Sequence, residues 1–242
     1  MALAIFALAW LAYEPLVKAA LGRRHMINLD MAVIRASWMR SMAGRDNRLM
    51  DGQLLGHTIN SASFFASSNL ILIAAAAGVL FGGEAAFRSA SSLIVIKTSS
   101  RLLFELQLAL VLVTLARGLL DFIWAIRQLN YTVAVVGAAP GGEWGPTQEA
   151  FGAAAGRLLN PALSSFNAGV RGYYFALAAA SWIFGSTAFI IATISAMVLL
   201  AWRQRASPAA RAIAELREVV EKADAEAPAR GPADPTQVRP AE

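Results

Sequence analysis

Apolar and polar positions alternate along this chain in long blocks rather than with a short period. Four blocks stand out: residues 1–21, 61–81, 102–126 and 173–202. At 1.5 Å per residue, about 20 residues of helix cross the roughly 30 Å hydrocarbon core of a bilayer. The blocks therefore predict an all-α integral membrane protein, a bundle of four transmembrane helices. The first block has no Lys or Arg before Lys18, so it reads as a retained anchor rather than a cleaved signal. Glu14 and Lys18, four apart, form an expected ion pair at its inner end, beside Pro15. The fourth block is the cleanest. Tyr173 and Tyr174 open it, Trp202 closes it, and Arg203 and Arg205 follow, as expected for aromatic belts at two interfaces. At 30 residues it exceeds one bilayer thickness and is expected to tilt or protrude.

Polar stretches lie between the blocks. In residues 22–60, Met31, Ile34, Trp38 and Met42 recur at helical spacing with Arg35 and Arg40 between them. This predicts a basic amphipathic helix on the membrane surface, the alternative being a helix packed on the other loops. Residues 128–172 contain Ala139-Pro140-Gly141-Gly142, a loop signal. A small-residue helix follows, which Asn160-Pro161 is expected to break. Asn167 and Gly169 suit a turn leading into the fourth block. Ser207 before Pro208 reads as an N-cap with proline at the first helical position. Ile213, Leu216 and Val220 then give a narrow apolar stripe, so residues 206–226 should form an amphipathic helix able to dimerise. The Pro-, Ala- and charge-rich segment 227–242 is expected to be disordered.

Composition agrees with a membrane protein: 57% of the 242 residues are hydrophobic and 15% charged, against roughly 25% charged in soluble domains. The net charge of +5 is not a nucleic-acid footprint, because from Arg203 onward seven basic residues balance seven acidic ones. The excess flanks the apolar blocks, where it reports orientation and contact with anionic lipid. Four crossings put both termini on one side of the membrane. Nine basic residues then flank the side of segments 22–60 and 128–172, against seven on the other. The Arg-rich side is expected to be cytoplasmic, in a cell (inner) membrane.

Chemistry is sparse. With no Cys, thiol catalysis and Cys-ligated metals are excluded. The two histidines, His25 and His57, are 32 residues apart and match no zinc-binding spacing. Phosphate-loop, dinucleotide-binding and nucleophile-elbow motifs do not occur. No cofactor, metal site or enzymatic activity is expected. Two groups of polar residues remain as candidates. Asn69, Glu105, Arg117 and Asp121 lie inside apolar blocks, where ionisable side chains are functional candidates by default; the alternative is an ion pair that fixes packing. Asn60, Arg127, Asn167 and Arg171 fall at one expected interface and could hold a lipid phosphate or an anionic solute.

Three stretches carry a family resemblance. The first runs from Asp46-Asn47 through Gly56-His57-Thr58-Ile59-Asn60-Ser61 to Phe64-Phe65-Ala66-Ser67-Ser68, preceded by Trp38-Met39. The second is residues 122–131, from Phe122 to Tyr131, and the third is residues 166–178, from Phe166 to Ala178. Their order and spacing resemble the membrane proteins grouped as domain of unknown function family 599, over about residues 5–205. Gly56-His57 departs from the family's form, so no family role carries to His57. The resemblance implies a four-helix membrane protein and supplies no activity. The reading is therefore a self-associating scaffold that organises lipids or a membrane-protein partner. Its alternatives are an oligomeric channel or carrier using the polar residues of the second and third spans, and a lipid-modifying enzyme.

Overall fold

The computed structural model describes residues 1–21, 26–93, 96, 100–142 and 144–226. The Lys18 side chain, residues 22–25, Lys97 and the segment 227–242 lie outside the described residues, and with them the expected Glu14–Lys18 pair and disordered tail. Among the described residues every regular element is helical. These are α1 (Ala2–Leu11), α2 (Tyr13–Leu21), α3 (Ile27–Ala43), α4 (Leu49–Phe81), α5 (Gly83–Ser91), α6 (Arg101–Ala138), α7 (Pro146–Ala180), a 3-10 turn (Ser181–Phe184), α8 (Ser186–Arg205) and α9 (Pro208–Glu226). Three stretches are long and apolar enough to cross a membrane: Leu49–Phe81, Arg101–Ala138 and Ser186–Glu226, the last being α8 together with α9.

Two of the expected spans are the cores of longer helices. Block 61–81 is the second part of the 33-residue α4, and block 102–126 the first part of the 38-residue α6. At 1.5 Å per residue α6 is about 57 Å long, nearly twice a hydrocarbon core. The surplus of both helices lies at the same end, where α4 begins and α6 finishes. We call this the upper end, and that of Phe81 and Arg101 the lower.

α7 runs antiparallel to α6. Gln107 meets Trp182, Gly118 meets Gly172 and Phe122 meets Gly169, so numbers fall on α7 as they rise on α6. Glycine makes the approach possible: a Cβ on Gly172 would sit 3.3 Å from the Gly118 Cα, and one on Gly169 would strike the Phe122 ring at 2.7 Å. Gly169 and Asn167 are therefore interior helical positions, not a turn. Nor does Asn160-Pro161 end the helix, since α7 passes through Pro161 unbroken. Proline removes one backbone bond, but α3 and α6 flank this stretch, and the Asn160 amide donates to the Ala32 carbonyl of α3 at 3.1 Å.

The fourth apolar block is not one helix. It comprises the end of α7, the 3-10 turn and α8, with Gly185 at φ 110° and ψ 165° reversing the chain. That conformation is open essentially to glycine alone. The Trp182 carbonyl in this turn accepts from the Gly185 amide at 2.9 Å and from the Gln107 side-chain amide at 3.1 Å. α8 then climbs beside α7, bringing Arg203 against the Tyr174 ring at 5.8 Å. The first block is also divided. Pro15 lacks the amide that would bond the Leu11 carbonyl, and the chain kinks at Ala12 (φ −103°, ψ 19°).

This hairpin corrects the expected topology. A single crossing would carry residues 206–226 away from α3. Instead α9 lies along α3: Arg217 pairs with Asp30 at 2.9 Å, and Asp224 accepts from Ser37 at 3.1 Å and pairs with Arg40. Ser207 caps α9 as expected, its hydroxyl accepting from the Ala210 amide at 3.1 Å.

Two cores result. In the lower half Phe6, Tyr13, Phe175 and Phe189 pack together, with Phe6 and Phe189 centroids 5.1 Å apart. In the upper half α3, the extensions of α4 and α6, and the start of α7 enclose Met39, Met42, Leu55, Leu129 and Leu159. The helix expected on the membrane surface is thus wedged between α7 and α9. Met42 is fully buried among protein side chains, and Trp38 donates its indole N–H to the buried Asp51 at 2.6 Å.

Candidate functional site

The eight polar residues singled out from the sequence do not form two sites. Asn69 is buried, and its amide donates to the Leu115 carbonyl at 2.8 Å across the α4–α6 contact. Glu105 pairs with Arg101 at 2.7 Å near the lower end of α6, 16 residues, or about 24 Å, from Asp121. Arg117 and Asp121 form the expected same-face pair, but loosely, at 3.5 Å. Asn60 is exposed, and Arg127 donates to the Tyr131 hydroxyl at 2.6 Å. Asn167 donates to Asn28 of α3 at 3.0 Å.

Arg171 turns the other way, toward the N-terminal kink. Its guanidinium bonds Glu14 at 2.8 Å and lies 5.0 Å from the centre of the Tyr13 ring. It also lines a cleft of about 360 Å³ together with Arg117 and Asp121 of α6, and Trp10, Leu11, Tyr13 and Glu14 of the kinked segment. The structure thus joins Arg117 and Asp121 of one sequence-predicted group with Arg171 of the other in a site that neither group described. Three elements build it. α6 supplies the i, i+4 pair, α7 supplies Arg171 through its close glycine contact with α6, and the Pro15 kink turns Tyr13 and Glu14 inward.

Charges in the cleft are balanced and unequally buried. The Arg171 side chain is 14% exposed and clamped, whereas that of Arg117 is 56% exposed, with Asp121 its partner among the described residues. A pair at 3.5 Å is longer than a charge-assisted hydrogen bond of about 2.8 Å, so most Arg117 donors face open space. Tyr13 is 4% exposed, and its hydroxyl has no partner among the described residues. Sequence reasoning passed over Tyr13; only the Pro15 kink beside it offered a signal.

A second polar system fixes the upper half. The Asp51 carboxylate accepts from Trp38 at 2.6 Å and Arg45 at 2.5 Å, and Arg48 reaches the carbonyl of Ala139 at 2.8 Å, tying α3, α4 and the α6–α7 loop. Burial pushes the Arg35 guanidinium on α3 below its ordinary pKa, though an arginine stays charged at neutral pH. Asp51 Oδ1 accepts both of its bonds while its buried Oδ2 has no partner among the described residues, and the system ties the upper half together.

The family model described as "Protein of unknown function, DUF599" matches residues 1–209. No curated protein and no solved structure matches.

Proposed function

The chain belongs to this family of unknown function, and we propose that it is a multi-pass protein of a cell (inner) membrane that presents a helical platform to the cytoplasm and organises lipids or protein partners there without catalysing a reaction. In this reading α4 and α6 cross the bilayer, and the hairpin of α7 and α8 enters from the platform side and returns to it. The Arg217–Asp30 pair carries the orientation, because it holds the C-terminal helix on the upper end. Arg203 and Arg205 at the end of α8, with Arg211 and Arg217 of α9, then join the basic residues already assigned to that side. Among the described residues eleven of these flank the upper end, against Arg88 and Arg101 below. An excess of this size next to membrane segments marks the cytoplasmic side.

Self-association belongs to the same reading. Positions beside Gly52 and Gly56 on α4 are open, and small residues let helices approach closely. The channel alternative gains no support, since Asn69 and Gln107 each bond a helix-end or helix-contact carbonyl and Glu105 pairs with Arg101.

The chain has no Cys, so single-cysteine variants test the orientation without background. Ser89→Cys on α5 should react with an impermeant maleimide in intact spheroplasts. Ala212→Cys on α9 should react only after permeabilisation. The reverse pattern, or labelling of both from outside, overturns the proposal.

A further inference from the structure

We propose that the cleft between the N-terminal kink, α6 and α7 binds the headgroup of a zwitterionic aminophospholipid, with the phosphate on Arg117 and the Tyr13 hydroxyl and the ammonium on Asp121. The inference rests on the membrane reading above and names the ligand class of that site.

Position comes first. Asp121 stands 20 residues above Arg101 on α6, about 30 Å at 1.5 Å per residue, which is one hydrocarbon thickness. With Arg101 at one boundary, the cleft lies at the other, where phosphates sit.

Below the charged groups of the cleft both walls are apolar. Going down α6, exposed Arg117 is followed one turn lower by exposed Val113. Going down α1, Leu11 of the cleft is followed one turn lower by Leu8, 60% exposed. A polar rim above an apolar gutter fits an amphiphile standing upright, and a free phosphate would make no use of the gutter.

Charge then selects the headgroup. Arg117 and Arg171 are matched by Asp121 and Glu14, so the described cleft has no net charge for a purely anionic lipid. It offers separated cationic and carboxylate groups instead. Arg117 keeps most of its donors open, and a guanidinium favours phosphate. The second, independent observation is Tyr13: a hydroxyl on a side chain 96% buried (4% exposed), lining the cleft, with no partner among the described residues. Buried hydroxyls are ordinarily satisfied, and a phosphate oxygen would satisfy this one.

The test uses the full chain, delipidated in mild detergent, and native mass spectrometry. Phosphatidylethanolamine, phosphatidylcholine and phosphatidylglycerol are added in equal amounts, with O-phosphoethanolamine in a separate arm. The parent should retain phosphatidylethanolamine about tenfold over the other two lipids, since neither carries a primary ammonium, and should not retain the soluble headgroup. Tyr13→Phe should cut retention about tenfold, the effect of one hydrogen bond to a charged group, while leaving the lipid-free melting temperature unchanged because no protein bond is lost. Arg117→Gln should weaken retention of all three lipids alike, since all carry the phosphate, and Asp121→Asn should abolish the preference among them. Equal retention of all three lipids, stronger retention of phosphatidylglycerol, equal binding of the soluble headgroup, or full retention by Tyr13→Phe overturns the proposal. These readouts do not depend on which face is cytoplasmic, so they fail separately from the thiol-labelling experiment.

Discussion

The upper and lower halves of the molecule are built from the same helices but held by different chemistry. The upper half resembles a soluble helical domain. It has its own apolar core around Met39, Met42 and Leu159, and two fully buried carboxylates, Asp30 and Asp51, each held by an arginine from elsewhere. The lower half has aromatic contacts around Phe6 and Phe189, glycine faces between α6 and α7, and exposed apolar residues such as Ile71, Ile191 and Val198 on its outside. Where water is available, charges can be exchanged for one another across elements and give specificity to the docking. In lipid there is little hydrophobic drive between helices, and close packing must supply the attraction. One continuous helix can serve both regimes, as α6 does, by changing its surface partway along.

Substitutions that isolate each regime sharpen this contrast. The largest loss is expected for Gly152→Leu in the upper half. A Cβ there would lie 2.6 Å from the Arg40 Cα and 2.9 Å from the Met39 carbonyl oxygen, backbone atoms that cannot swing away. Separation of α3 from α7 should cost about 3 kcal/mol or more, read by thermal melting in detergent. Phe189→Ala should follow at about 3 kcal/mol, because the aromatic cluster of the lower half loses its centre. Arg217→Ala strands the Asp30 carboxylate and should cost about 2 kcal/mol, seen as protease cleavage within α9 before the rest of the chain. A paired Asp30→Asn change should restore part of the loss, since the stranded charge is then gone. Asn69→Ala removes one interhelical bond in the lower half and should cost about 1 kcal/mol. Equal losses for Arg217→Ala and Asn69→Ala would erase the distinction between the halves.

Much of this arrangement is legible in the sequence, and the failures have physical causes. Hydropathy locates the cores of α4 and α6, because a run of apolar residues wide enough for a bilayer is a long-range average. The Ser207-Pro208 start of α9 is legible because capping is local chemistry. The reversal at Gly185 escapes, since Trp182-Ile183-Phe184 continues the apolar run of the helices around it, and one glycine conformation decides whether the chain crosses or returns. Pro161 and Gly169 mislead in the opposite sense. Both are helix breakers by propensity, yet the packing of α3 and Phe122 against them keeps α7 continuous. The same reversal explains why the positive-inside count looks indecisive from sequence alone. As for the cleft, Arg117 and Asp121 announce themselves by their spacing, and Arg171 by its charge beside an apolar block. Their meeting with Tyr13 and Glu14 depends on the kink at Ala12, which places residues more than 100 positions apart in one pocket.

The central claim is that the C-terminal helix returns to the face that carries α3. A Ser37→Cys, Asp224→Cys double variant, made in a chain that otherwise lacks cysteine, tests it in native membranes. The Ser37 hydroxyl and Asp224 carboxylate are 3.1 Å apart, so a short bifunctional maleimide should join the two positions within one chain, and protease cleavage between α3 and α9 should then fail to separate the fragments. Free separation of the fragments, with the two cysteines labelled from opposite sides of the membrane, would contradict the account.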